Sequence, residues 1–161
     1  YKKDTLIPQN SKKLITVNYI YKTKTDLEAA STLLTKVLDS VKESVQRYEK
    51  SNDVFGKTMY EKESKRYSVY RECKDYLDFV IDVLKNYLDT HPEESSSGHT
   101  PRKITSIYDI GKYQTEALKA KRNIDTLLWM AKVRGDENKI KLYQECIEKL
   151  NYVYSHIAKN T

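Results

Sequence analysis

The stretch YRECKDYLDFV, Tyr70–Val80, decides how this chain folds, because a close copy, YQECIEKLNYV, follows at Tyr143–Val153. At a constant separation of 73 residues, the two stretches share one Tyr, Glu, Cys, Leu and Val each. In both, apolar residues recur every three or four positions, which is the spacing of one face of an α-helix. Two explanations are open: duplication of a helical unit, or two amphipathic helices with the same apolar spacing.

The residues before each copy predict a further helix. The first is expected to begin at Thr25, which forms a capping box with Glu28, and to continue to the turn SNDVFG, Ser51–Gly56. The helix that holds the first copy is expected over about residues 57–89. A third is expected over about residues 103–134, with Ser106 and Asp109 as its capping box. The turn RGDEN, Arg134–Asn138, then leads into the last helix, with Asp136 as its N-cap.

These helices predict a single all-α domain, an antiparallel four-helix bundle made of two unequal helical hairpins. Its expected parts are an N-terminal arm (1–24), a first hairpin (25–89), a Ser-rich loop (90–102) and a second hairpin (103–161). LITVNYIY, Leu14–Tyr21, would be a strand by composition. Because a lone strand has no partner in a helical chain, it is expected as a short helix or extended segment packed on the bundle.

Composition favours this fold but excludes little about function. The 161 residues are 39% hydrophobic and 32% charged, with only 4 Gly and 3 Pro. The net charge is +6, yet the basic residues alternate with 23 acids. No run of 18 apolar residues occurs, so the chain is expected to be soluble, without a transmembrane segment.

The two cysteines pose the sharpest chemical question. Cys73 and Cys146 hold matching positions in the two copies. A disulfide between them would join the hairpins and imply a secreted or surface-exposed protein. The alternative is two buried free thiols that act as small hydrophobic side chains, which would fit an intracellular protein.

Motifs of catalysis or of metal binding are not found in the sequence. It contains no glycine-rich phosphate loop, G-x-S-x-G or H-E-x-x-H. His91, His99 and His156 lack the paired short spacing of zinc ligands. We therefore expect no enzyme activity, no cofactor, no metal and no small-molecule substrate. RGD at 134–136 is expected to be only a helix connection.

Aromatic and basic residues supply the candidate binding positions. Tyr is unusually frequent, at 14 residues, and combines a packing ring with a polar tip. Trp129 is either a core residue or an exposed contact anchor beside Lys132. The candidate partner contacts are Tyr67, Tyr70, Tyr113, Trp129, Tyr143 and Tyr152. A candidate basic patch comprises Arg102, Lys103, Lys112, Lys119, Lys121 and Arg122, which could also be a solvated helix face.

The segment LYQECIEKLNYV is similar to second helices of microtubule-interacting and trafficking modules and of tetratricopeptide repeats. The similarity covers one helix per hairpin and lacks the small packing residues and the 34-residue period, so it assigns neither family. The favoured function is a non-enzymatic domain that binds a partner protein or peptide through a helical, Tyr-rich surface. The alternative is a secreted helical effector or antigen that binds a host protein. A third is a basic domain that binds nucleic acid or an anionic membrane.

Overall fold

The computed structural model describes residues 6–91 and 112–157, with side chains from residue 20 in the first range and from residue 115 in the second. It contains four helices, α1 (Leu6–Glu49), α2 (Val54–Thr90), α3 (Lys112–Arg134) and α4 (Glu137–His156). The hairpins α1–α2 and α3–α4 pack into one bundle, which confirms the predicted architecture. None of the described helices is long and apolar enough to cross a membrane. The predicted Ser106–Asp109 capping box and most of the Ser-rich loop lie outside the described residues.

The first helix begins much earlier than its capping pattern suggested. Residues 6–24, expected as an arm, belong to α1. Thr25 is inside the helix, where its hydroxyl donates to the Tyr21 carbonyl at 2.9 Å, so it caps nothing. Ile20, Thr23 and Leu27 are all buried, at the three- and four-residue steps of the same core face. Packing of this face outweighs the strand preference of the β-branched residues before it.

Each hairpin turn is built by local capping. At the first, the Asp53 carboxylate accepts from the Gly56 N–H at 2.7 Å. At the second, Gly135 adopts φ +69°, and the Asp136 N–H donates to the Ala131 carbonyl at 3.0 Å, which ends α3 in a Schellman motif. Asp136 then accepts from the Lys139 N–H at 3.2 Å and caps α4. The predicted N-cap is confirmed, and RGD forms the connection between α3 and α4.

Contacts across α2 and α4 show that these two helices are antiparallel. The Tyr152 ring meets Tyr76, whereas the Lys149 ammonium, one turn earlier in α4, also reaches Phe79, farther along α2. The helices α1 and α4 both contact α2 and α3, which makes α1/α4 and α2/α3 the diagonal pairs. Consequently α2 ends and α3 begins at opposite ends of the bundle, roughly 30 Å apart at 1.5 Å per residue.

The repeated phrase is the packing face of both second helices. Its four shared non-acidic positions are buried in each copy: Tyr70, Cys73, Leu77 and Val80 in α2, and Tyr143, Cys146, Leu150 and Val153 in α4. A second correspondence joins the first helices at a separation of 90 residues. The buried residues Leu27, Ala30, Leu34, Val37 and Val41 of α1 match the buried Ala117, Ala120, Ile124, Leu127 and Ala131 of α3. Both helices of the two hairpins therefore present equivalent core faces.

The proposed disulfide is contradicted by the structure. Cys73 and Cys146 are both free and buried, and their sulfur atoms are not at bonding distance. The reason is the antiparallel pairing, which places Tyr76 against Lys149. Each cysteine precedes its member of that pair by three residues, so the two lie on opposite sides of the contact, about 9 Å apart along the helix axes. The secreted alternative loses the feature that supported it.

Candidate interaction surface

Of the six aromatic residues expected to contact a partner, two belong to the core. Tyr70 is 0% exposed and Tyr143 is 4% exposed, so neither ring is accessible to a partner and those two expectations were wrong. Tyr67 is half-buried and packs against the core. Tyr113 falls in the first turn of α3, where side chains are not described.

Tyr152 is held in a polar cluster on the α2–α4 seam. Its hydroxyl donates to Glu72 at 3.0 Å, and Tyr76 donates to the same carboxylate at 2.7 Å. These hydrogen bonds, from Tyr76 first and Tyr152 second, lower the pKa of Glu72. Burial, reinforced by the bond to Glu72, raises the pKa of Tyr152 to about 12. With its other face stacked on His156 at 4.1 Å, Tyr152 joins two helices rather than facing a partner.

Trp129 is the one predicted aromatic contact that is strongly exposed. Its exposed fraction is 65%, and that of Val133, one turn later, is 67%. The core side of α3 is occupied by Ile124, Leu127 and Ala131, so the core alternative for Trp129 was wrong. Large apolar groups placed together at the surface are typical of binding sites, and Trp is the residue most enriched among binding hot spots.

Trp129 and Val133 end a longer row on the same side of α3. Steps of four and three residues connect Thr115, Lys119, Arg122, Thr126, Trp129 and Val133. All are exposed except Thr126, which is intermediate. We call this row the α3 face; it is basic toward the start of the helix and apolar toward its end.

The predicted basic patch is partly described. Lys119 and Arg122 are exposed on the α3 face, whereas Lys121 is only partly exposed. Arg102 and Lys103 lie outside the described residues, as does the side chain of Lys112. Lys119 lies 3.7 Å from Glu116, which is itself only 6% exposed.

A cavity of about 280 Å³ opens between α1 and the basic end of the α3 face. Asn123 donates a hydrogen bond to the Thr23 hydroxyl across this junction. Three cations and two carboxylates are present together with that amide–hydroxyl pair, and the lining residues are Lys22, Thr23, Asp26, Glu116, Lys119, Arg122 and Asn123. This mixed-charge lining suits a polar, charged group better than an apolar one.

A second apolar patch was missed at the sequence level. Val41 and Tyr70 are 29 positions apart, whereas their counterparts Ala131 and Tyr143 are 12 apart, so the first hairpin is 17 residues longer. At its tip Val54 is 82% exposed and Phe55 is 62% exposed. Phe55 meets Tyr48 edge to face at 6.3 Å. The adjacent Val and Phe immediately after the turn residues were the available signal.

Reactive and metal-binding groups contribute little to this surface. Burial raises the pKa of both Cys73 and Cys146 to about 12, which keeps the thiols protonated and inert at neutral pH. Among the residues with described side chains, no three of the His, Cys, Asp and Glu groups come together as a metal site.

Comparison with known proteins adds no relative: no family model, no curated protein and no solved structure matches the chain. The surface itself must therefore carry the functional argument.

Proposed function

We propose that this chain is a protein-interaction domain that binds a partner protein or peptide through the α3 face, without chemistry of its own. The observation that carries the proposal is the joint exposure of Trp129 and Val133 on adjacent turns of one helix. Burying both would remove from water an aromatic and an aliphatic side chain, worth about 1.5–3 kcal/mol for a fully buried Val-sized group.

The α3 face is favoured over the tip of the first hairpin for two reasons. It includes the sole Trp of the chain, a side chain that provides large contact area with few rotatable bonds. It also lies on one continuous helix within the four-helix layer, where packing of Ile124 and Leu127 in the core holds the backbone. A rigid surface loses less conformational entropy on binding than a mobile one.

The strongly shifted groups support a binding role rather than catalysis. Cys73 and Cys146 are enclosed in the core, and Tyr152 is occupied by Glu72 and Tyr76 on the seam. A catalytic group needs access to a substrate, which the core thiols do not have. The exposed residues Trp129 and Val133 instead offer contact area.

The proposal is tested by comparing two surface variants with equal numbers of apolar-to-polar changes. Trp129→Ser/Val133→Ser alters the α3 face, and Val54→Ser/Phe55→Ser alters the tip. Each variant and the unaltered chain are immobilised, and the proteins they capture from a lysate of the source cells are quantified by mass spectrometry. We expect a set of proteins that the tip variant retains and the α3-face variant loses by about tenfold or more, the effect of one hot-spot residue.

Equal capture by the α3-face variant and the unaltered chain would contradict the proposal, as would loss confined to the tip variant. Direct contact is checked with the most strongly captured protein after purification. Because Trp129 is the sole Trp of this chain, its emission can be followed when the captured protein is free of Trp or carries a fluorinated analogue. Binding at the α3 face shifts the emission to shorter wavelength; an unchanged spectrum at saturation would place contact elsewhere.

A further inference from the structure

Resting on the proposed function, we infer the chemistry of the partner: the α3 face takes an acidic peptide segment with an apolar anchor. The segment's carboxylates meet Lys119 and Arg122, and its apolar side chain packs on Trp129 and Val133. If the α3 face binds no partner, this assignment fails with the proposed function; if it binds a partner without acidic residues, only this assignment fails.

The first support is the distribution of charge among the helices. In α3, six basic residues oppose two acids, a net charge of +4 out of +6 for the whole chain. In α2, seven bases oppose seven acids, and in α4 three oppose three. The excess positive charge of the described helices is thus concentrated on the one that exposes Trp129. A concentrated charge attracts an oppositely charged partner and orients its approach.

The second support is the order of residues along the α3 face. The basic pair Lys119 and Arg122 is separated from the apolar pair Trp129 and Val133 by about ten residues, or roughly 15 Å. A ligand that matches this order has its acids at one end and its apolar anchor at the other. Two to three turns of helix, or five residues of extended chain, cover the distance.

The basic end has capacity for a carboxylate. Within the described residues, Arg122 makes no ion pair, and Lys119 reaches Glu116 only at 3.7 Å, longer than a hydrogen bond. The cavity beside them, about 280 Å³, is large enough for a carboxylate-bearing side chain. An arginine that meets a carboxylate can donate two parallel hydrogen bonds, which adds geometric specificity to the charge attraction.

Two features favour an acidic peptide over a nucleic acid. A phosphate backbone is charged along its whole length, whereas the α3 face is charged in only one half. The cavity also includes Asp26 and Glu116, and exposed Asp125 lies one turn from both Arg122 and Trp129. These carboxylates repel a continuous row of phosphates, but a peptide can place neutral residues opposite them.

The test uses two peptides of about 18 residues with the same helix-forming sequence and the same Leu and Phe anchors. One has four Glu in the half remote from the anchors; the other has Gln at those positions. Each is titrated into the full chain, and Trp129 emission is followed at low and at high salt. We expect the Glu peptide to bind about five- to tenfold more tightly at low salt, since each exposed charge pair contributes about 0.2–1 kcal/mol, and the difference to shrink at high salt.

Matched variants assign the effect to residues. Lys119→Gln/Arg122→Gln should remove most of the preference for Glu, whereas Lys139→Gln/Lys141→Gln, the same charge change at exposed positions of α4, should retain most of it. Asp125→Asn should strengthen binding of the Glu peptide by about two- to threefold, an effect in the opposite direction that a purely structural role would not produce.

Equal affinity for the Glu and Gln peptides, or no binding of either, would overturn the acidic-partner assignment, while the variant-dependent capture described above would still stand. Tighter binding of a 20-nucleotide single strand than of the Glu peptide, lost in Lys119→Gln/Arg122→Gln, would also overturn it in favour of a nucleic acid. Binding of the Glu peptide that survives Trp129→Ser/Val133→Ser and shows no anchor dependence would reject the apolar half of the assignment.

Discussion

The Tyr76 ring of α2 meets the Tyr152 ring of α4 edge to face, with centroids 5.2 Å apart. Phe79 and Lys149 hold the corresponding positions in the other copy of the phrase, since 152 − 73 is 79 and 76 + 73 is 149. Those two residues also meet, with the ammonium 5.0 Å from the ring centroid. The contacts across the seam are therefore related by a local twofold arrangement, as expected when two copies of one helix pack antiparallel. This relationship favours duplication of a helical unit over coincidence of spacing.

The first prediction concerns energetic coupling across this seam. In a double-mutant cycle, Tyr76→Ala and Tyr152→Ala should be coupled by about 0.5–1.5 kcal/mol, the contribution of an edge-to-face aromatic pair. The measurement is the free energy of unfolding in urea for the four proteins. Tyr76→Ala with Tyr87→Ala is the control, because Tyr87 lies roughly 16 Å farther along α2 and should be additive. Additivity of the seam pair as well would show that the ring contact contributes nothing specific.

The second prediction is a loss of stability at alkaline pH. Burial raises the pKa of Cys73 and of Cys146 from 9.0 to about 12. Between these values the unfolded chain loses thiol protons that the folded chain keeps, so the free energy of unfolding falls as pH rises above about 9. Below pH 9 the two thiols should cause no pH dependence.

This prediction is checked by measuring urea unfolding from pH 7 to pH 11. The variant Cys73→Ala/Cys146→Ala should show a distinctly shallower decline over the upper part of that range. The remaining slope comes in part from Tyr152, whose pKa is also raised to about 12. Parallel pH profiles for the variant and the unaltered chain would mean that the thiols are not protected by the fold.

The third prediction concerns the turn between α3 and α4. Gly135 has φ +69°, which costs an L-residue about 1–2 kcal/mol, while nothing lies within 4 Å of a Cβ added there. Gly135→Ala should therefore lower the free energy of unfolding by about 1 kcal/mol through backbone conformation alone. Gly135→Asn should lose less, since Asn tolerates this conformation better. A thermal or urea unfolding series gives both values, and an Ala variant as stable as the original would argue against the Schellman turn.

The fourth prediction separates the α3 face from the core beneath it. Trp129→Ser should change the free energy of unfolding by no more than about 0.5 kcal/mol, as is usual for exposed positions. Leu127→Ala, two residues away but only 2% exposed, should cost about 2–5 kcal/mol. Circular dichroism and urea unfolding measure both effects. A large loss from Trp129→Ser would mean that the indole packs inside the domain, and the binding proposal would lose its anchor.

Core positions of the bundle were largely readable from local spacing. The residues expected on the face of α1, from Leu27 to Val41, are buried. In α3, the basic Lys121 seemed to interrupt the apolar row, but the buried row passes through Ala117, Ala120 and Ile124 instead. In α4, Tyr154 belonged to an apolar row by spacing, yet it is 43% exposed. A helix has room for only one face in this core, and spacing alone leaves its rotation uncertain by about one residue.

The candidate site was much less predictable. Tyr70 and Tyr143 belong to the core, and Tyr152 belongs to the seam, although all three have the same chemistry as an exposed Tyr. Trp129 lies within the apolar run LLWM, Leu127–Met130. Since successive helical residues are about 100° apart, four consecutive apolar residues cannot all face one core. Which of them is exposed depends on neighbours that are distant in sequence.

By itself, the sequence determined the number of helices, their pairing into hairpins and most of the core face of each, because helical periodicity and turn capping are local properties. Only the tertiary structure decided that α2 and α4 pack antiparallel, that Cys73 and Cys146 stay separate and that Trp129 faces outward. These outcomes depend on the register and rotation of helices that are 70 or more residues apart in the chain, and no local pattern encodes that relation. The repeated phrase thus predicted which residues pack, and the fold decided what they pack against.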